Sequence, residues 1–241
     1  MAGTDISWLT ARPIAHRGLH DGNRNCWENT LSSFEHAIEG GYAIECDITL
    51  SADGVPMVFH DHYLKRLTGR DGKVCETTAN EMSRLQVGET ADRIPRLSEA
   101  LSLVAGRVPM VIELKGNEGH DNGFVAAVAA DLADYKGSAA IMSFSHHLVR
   151  QFSRHAPGVP AGLTAEGEDS AAMEAHFSML AHDISFVSYD VVSIPNRFVT
   201  FVRDRLNLPF ISWTVRDQNA AELTWREGGQ ITFEGFRPDI R

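Results

Sequence analysis

Cysteine is scarce in this chain and forms no pattern. Three cysteines stand among 241 residues: Cys26, Cys46 and Cys75. An odd count with no close pair is neither a disulfide framework nor a zinc ribbon, and it fits the reduced thiols of a cytoplasmic protein. Net positive charge is missing too. Lys plus Arg number 22 against 32 Asp plus Glu, a formal charge of −10. Such a chain repels nucleic acid and anionic lipid at long range, so a nucleic-acid partner is not expected. A small phosphate ligand stays compatible, because a metal ion or a few local cations reverse the field inside a pocket. No apolar run approaches the roughly 20 residues of a membrane span, so no integral membrane segment is expected. The stretch Met1–Arg12 lacks the basic start and apolar run of a secretory leader. Low-complexity stretches and proline-rich linkers are absent. So are the glycine-rich phosphate loops and the Gly-x-Ser-x-Gly elbow.

What the chain does have is an alternation. Hydrophobic residues make up 43% and charged residues 22%, which places it with ordinary globular chains rather than disordered ones. Short apolar runs rich in β-branched or aromatic residues occur at Pro13–Ala15, Tyr42–Leu50, Val108–Leu114, Ala139–Phe144, Pro160–Thr164, Ile184–Tyr189, Leu208–Trp213 and Gln230–Phe233. Segments with helical spacing lie between them: Thr30–Glu39, Leu97–Ala105, Asn122–Tyr135, His146–His155, Ser170–Leu180, Asn196–Leu206 and Asp217–Glu227. Asn29 or Thr30 is the expected N-cap of the first helix and Gly40-Gly41 its stop. Eight such strands in a chain of this length predict a TIM (β/α)₈ barrel, of ~250 residues, over an open doubly wound sheet. The tipping feature is that His16, Glu45, Asp47, Glu113 and Trp213 all stand at or near the C-terminal ends of different strands, which a barrel gathers into one mouth. The expectation is one barrel domain over residues 1–241, with residues 61–96 as an insertion near that mouth.

Within this frame a few charged residues sit inside apolar surroundings, where burial costs several kcal/mol unless the group is paired or metal-bound. Glu45 and Asp47 alternate along a strand and share a face. Facing inward, two carboxylates need a cation or a shared proton; an all-oxygen donor set suits one hard divalent ion, Mg²⁺ or Ca²⁺. Facing outward on an edge strand, they are simply solvated. Glu113 ends a strongly apolar strand with Lys115 two residues on, which reads as a third ligand beside a phosphate-binding cation or as a plain ion pair. His16 and His60 each end an apolar run, and a pair of imidazoles across a pocket can supply an acid and a base. Most of the other histidines are taken for surface residues, and His120, His146, His147, His155, His176 and His182 are assigned no role. Arg17 offers a planar fork for phosphate oxygens, Glu28 lies near the start of the first helix, and Trp213 is either a substrate wall or a core aromatic.

The order and spacing of His16-Arg17-Gly18, Glu28-Asn29-Thr30, Glu45-x-Asp47, Asp53-Gly54, His60-Asp61 and Glu113-x-Lys115 resemble those of the glycerophosphodiester phosphodiesterase family. The resemblance is strongest over Ile14–Lys115. It implies a TIM barrel that hydrolyses glycerophosphodiesters to sn-glycerol 3-phosphate and an alcohol with a divalent metal. It implies Glu45, Asp47 and Glu113 as metal ligands, and His16 and His60 as the acid/base pair. Arg17 and Lys115 become the cations around the phosphate, and Glu28 lies near the metal. The chain departs from the family pattern at Arg216, where Asn usually follows Trp-Thr-Val. It departs again at Thr232–Pro238, where a Thr-Asp-x-Pro element is common. A cyclising lyase resembling sphingomyelinase D shares the paired histidines and the Glu-x-Asp, but Glu113-x-Lys115 and the lack of disulfide pairing favour the hydrolase. A non-catalytic phosphodiester-binding relative on the same barrel is the third reading; every catalytic position being filled speaks against it.

Overall fold

The computed structural model describes residues 5–240. Its strands are β1 (Ile14–Ala15), β2 (Ala43–Leu50), β3 (Pro56–Val58), β4 (Met110–Leu114), β5 (Ala139–Ser143), β6 (Ala161–Ala165), β7 (Phe186–Asp190), β8 (Phe210–Val215) and β9 (Gln230–Phe233). All but β3 are parallel. Because β1 pairs with both β2 and β9, the sheet closes into an eight-stranded TIM barrel. The run Val55–Phe59 supplies β3, which folds back antiparallel on β2 through the turn at Asp53-Gly54.

Helices α1 (Leu31–Glu39), α4 (Leu97–Val104), α5 (Phe124–Leu132), α6 (His146–His155), α7 (Ser170–Met179), α8 (Arg197–Leu206) and α9 (Gln218–Arg226) return the chain between strands. Most begin on a side chain that accepts an otherwise unpaired N–H: Thr30 for α1, Ser145 for α6, Asp169 for α7, Asn196 for α8 and Asp217 for α9. The segment expected as helix over Asn122–Tyr135 is shorter, since Gly123 opens α5 in a left-handed conformation.

The alternation along each strand sorts residues into two cores. Ile44, Cys46, Ile48, Met110, Ile112 and Leu114 point outward and pack under the helices. Ile14, Ala43, Val111, Ala140, Met142, Phe186 and Ile211 point inward and fill the barrel together with Leu9. Phe186 fits the barrel because Gly162 stands beside it. A Cβ at Gly162 would fall 2.4 Å from the Phe186 ring. The insertion after β3 carries two short helices, α2 (Lys65–Thr68) and α3 (Ala79–Met82), and builds its own small core around Met57, Phe59, Leu67 and Met82. That core anchors the strand end from which His60 and Asp61 emerge.

Candidate active site

The first strand ends in a tight turn. Arg17 (φ 56°) and Gly18 (φ +79°) both adopt left-handed backbone conformations, and a Cβ at Gly18 would lie 2.4 Å from Ser33 Oγ. The turn lets one residue do three things. The Arg17 N–H donates to Glu45 Oε2 at 2.9 Å, its Nε lies 3.0 Å from Asp47 Oδ2, and its Nη1 donates to Glu28 Oε1 at 2.7 Å.

Glu45, Asp47 and Glu113 face the barrel interior. Asp47 and Glu113 are register partners across β2 and β4, so pairing of the strands itself sets two carboxylates side by side. All three residues are buried, and one oxygen from each lies within 4.8 Å of the others. Lys115 Nζ lies 3.0 Å from Asp47 Oδ1 and also contacts Glu113. Burial opposes ionisation of Asp47, but Lys115 and Arg17 outweigh it and hold that carboxyl well below the usual range. Glu45 goes the other way: burial, then the charges of Asp47 and Glu113, push its carboxyl well up. Burial also raises Glu113, with Lys115 pulling against it. Three carboxylates thus face two fixed cations, and Glu45 Oε1 is buried with no hydrogen-bond partner. An uncompensated negative charge with an orphaned oxygen in an all-oxygen set fits a hard divalent cation.

Two imidazoles flank the cluster, each oriented by a carboxylate at Nδ1. His16 Nδ1 donates to Glu234 Oε2 at 2.7 Å and His60 Nδ1 donates to Asp61 Oδ1 at 2.7 Å. A carboxylate only accepts, so in each neutral ring the proton sits on Nδ1 and Nε2 is left with a lone pair. His16 Nε2 lies 3.9 Å from Glu45 Oε2. Burial pushes the His16 imidazole down, toward that neutral form. Glu234 in turn is held by Arg216, 2.7 Å away, and its carboxyl lies far below the usual range chiefly because His16 donates to it. His16, Arg17, Glu45, His60, Glu113, Lys115 and Trp213 line one cavity of about 460 Å³ at the C-terminal ends of the strands.

Residues 16–232 match the sequence model of the Glycerophosphoryl diester phosphodiesterase family. The chain belongs to this family. A glycerophosphodiester phosphodiesterase of Caldanaerobacter subterraneus subsp. tengcongensis is 32% identical over 162 residues, 62% of this chain and 65% of the relative. Mouse glycerophosphodiester phosphodiesterase 1 is 25% identical over 161 residues, 63% of this chain and 48% of the relative. The match therefore spans about half to two thirds of these relatives' length. Among solved structures, an Oleispira antarctica phosphodiesterase in complex with the product sn-glycerol-3-phosphate superposes with a TM-score of 0.81 at 25% identity, covering 95% of this chain and 94% of that one. A glycerophosphodiester phosphodiesterase from Thermotoga maritima gives 0.75 at 25% identity, covering 91% and 92%.

His16, Arg17, Glu28, Glu45, His60, Glu113, Lys115 and Trp213 line one chamber and Asp47 lies buried beside Glu113, whereas Asp53-Gly54 forms the exposed turn between β2 and β3. Glu28 reaches the carboxylate cluster through Arg17 rather than directly: its oxygens accept from Arg17, Asn23 and Arg66, and these bonds outweigh burial to bring its carboxyl down to about 2. Trp213 stands at the mouth with Nε1 buried and unpartnered, so it offers a donor as well as a wall. The alternative left open at the start of the first helix is resolved. Asn29 is not a cap; Thr30 alone caps α1. Asn29 sits at φ 54°, which turns its amide into the barrel, where Nδ2 donates to Asp47 Oδ2 and Oδ1 accepts from the Asp47 N–H. Of the histidines assigned no role, one lies in the interior. His176 is buried against Tyr189, their polar atoms 3.2 Å apart.

Arg66 and the Glu234–Arg216 pair escaped the sequence reading. Arg66 comes from the insertion, and nothing local marks it. Glu234 follows the last strand, so its place at a barrel strand end was a signal. The two departures from the family pattern, at 216 and 234, turn out to be ion-paired with each other.

Proposed function

We propose that this chain hydrolyses glycerophosphodiesters to sn-glycerol 3-phosphate and an alcohol. The observation that carries the proposal is the convergence of three buried carboxylates, two fixed cations and two carboxylate-oriented imidazoles on one cavity. Glu45, Asp47 and Glu113 would hold the divalent cation, Mg²⁺ or Ca²⁺. When bound, it supplies charge neutralisation for the phosphodiester and for the oxyanion that develops during displacement. Arg17 and Lys115 add fixed positive charge at the same place, and they need no reorganisation because their carboxylate partners already hold them. Phosphoryl chemistry is served mainly by such positioning and charge.

His16 and His60 carry the protons. One Nε2 removes a proton from the nucleophile, either water or the glycerol 2-hydroxyl, and the other, once protonated, delivers a proton to the leaving alkoxide; where the 2-hydroxyl attacks, water then opens the cyclic phosphate to sn-glycerol 3-phosphate. Glu234 and Asp61 keep each ring turned toward the chamber and stabilise the imidazolium that forms. Trp213 Nε1, without a protein partner, is placed to donate to an oxygen of the glycerol phosphate half. The three cysteines are unpaired, which supports a cytoplasmic setting. Among the described residues no helix is long and apolar enough to cross a membrane.

The test is product analysis. With Mg²⁺ or Ca²⁺ the protein should release sn-glycerol 3-phosphate from glycerophosphocholine, and EDTA should stop it. A stable cyclic phosphate in place of glycerol 3-phosphate would make the protein a lyase. Tight binding without product under any metal would make it a binding protein.

A further inference from the structure

A second, larger cavity of about 1160 Å³ opens from the catalytic chamber and shares its His60, Glu113, Lys115 and Phe144 walls. Phe144 is the partition. Trp213 packs against it edge-on at 5.2 Å on the catalytic side, and Lys115 Nζ lies 5.8 Å from its ring centre. Beyond the partition the cavity runs over the polar 115–123 loop toward the insertion, and few aliphatic residues line it.

Its unmatched charges are of one sign. The carboxylates nearest the chamber are already matched, Glu113 by Lys115 and Asp61 by Arg66 and His60. The two farther out are not: among the described residues neither Glu118 nor Asp121 has a Lys, Arg or His nitrogen within 4.0 Å. Asp121 is only 8% exposed. One of its oxygens accepts the Asn117 N–H at 2.7 Å, and the other has no hydrogen-bond partner in the protein. Burial raises its carboxyl above the ordinary range despite the nearby histidines, and a cation brought alongside would offset that cost. The same cavity is lined by two exposed aromatic side chains, Tyr63 at 59% and Phe144 at 39%. Exposed aromatic rings beside uncompensated carboxylates form a surface that favours ammonium groups, with or without methyl substituents.

We propose that this cavity binds the alcohol half of the substrate and selects an amino alcohol, its ammonium group held by Asp121 and Glu118 and faced by Tyr63 and Phe144. The assignment rests on the hydrolase reading above, which fixes where the phosphate lies. The glycerol 3-phosphate half then occupies the smaller chamber, and the leaving alcohol points past Phe144.

The test compares kcat/KM for glycerophosphoethanolamine and glycerophosphocholine with that for glycerophosphoglycerol, whose leaving alcohol is uncharged. The cationic esters should be favoured tenfold or more. Asp121→Asn should cut that preference about tenfold, and Tyr63→Ala should cut it for the choline ester. Tyr63 is exposed, so its variant reports even if Asp121→Asn folds poorly. Equal kcat/KM for charged and uncharged esters, or a preference that neither variant alters, overturns the assignment. If no ester is turned over, calorimetric titration of the same three onto the wild-type protein decides: tighter binding of the cationic pair keeps the subsite and sinks the hydrolase, and indifferent binding sinks both.

Discussion

Single side chains here are constrained by their neighbours more than by their own type. His16 and His60 are each fixed at Nδ1 by a carboxylate, so their replacement should remove proton transfer and leave the fold intact. We expect His16→Ala and His60→Ala each to lower kcat by about 10²–10⁴-fold with an unchanged far-UV circular dichroism spectrum, as befits a general acid or base. Near wild-type turnover in either would take that imidazole out of the mechanism. Glu28 shows a side chain whose charge serves stability. Its carboxyl lies at about 2 rather than 4.5, so the folded state favours the ionised form. That stability is full above about pH 4.5 and drains away as pH falls toward 2, roughly 3 kcal/mol by linkage. Glu28→Gln should therefore lower stability at neutral pH and flatten its decline between pH 4.5 and 2 in denaturant titrations. An unchanged acid slope would contradict the pairing with Arg17 and Arg66.

Elements act by placing those side chains. Strand β2 is buried along nearly its whole length, and its pairing with β4 makes Asp47 and Glu113 neighbours. Slipping that pairing by one residue would turn the carboxylates under the helices. The β1 turn is as strict. A side chain at Gly18 would meet Ser33 Oγ and the α1 backbone and would also strain a positive φ. Gly18→Ala should cost about 2 kcal/mol or more, read as a lower denaturant midpoint, and it should reduce turnover because Arg17 loses its reach. The insertion has its own core, yet it hands Arg66 to Glu28 and Asp61, so it braces the site from outside the barrel.

At the scale of the whole molecule, a barrel interior that holds more carboxylate than cation is incomplete. A ligand that binds only the folded state stabilises it by mass action. Millimolar Mg²⁺ or Ca²⁺ should thus raise the melting temperature of EDTA-treated protein, and the shift should vanish in Glu45→Gln. A cation-independent melting temperature would separate the carboxylates from metal binding. How much of this was legible beforehand differs by feature. The barrel was legible because buried parallel strands are short apolar runs, and eight of them punctuate the chain. The site was legible where a charged residue interrupts such a run, as Glu45, Asp47 and Glu113 do. Asn29 was not, since Asn before a helix usually caps it and only a left-handed backbone sends its amide to Asp47. Arg66 was not either, because its bond to Glu28 spans 38 residues; Glu234 carried the signal of a strand end, but not its bond to His16, 218 residues away along the chain.

The sequence alone determined which chemistry is available: hard oxygen donors that interrupt apolar strands, as Glu45 and Asp47 do within β2, and two imidazoles and two cations just past strand ends, because a buried run tolerates charge only where a partner meets it. Only closure of the barrel decided how those groups meet. Spacing along a chain cannot say which carboxylate ends up short of a counter-charge, which ring nitrogen is left for substrate, or that Arg216 and Glu234 compensate one another. Those are distances between segments remote in sequence, and packing sets them.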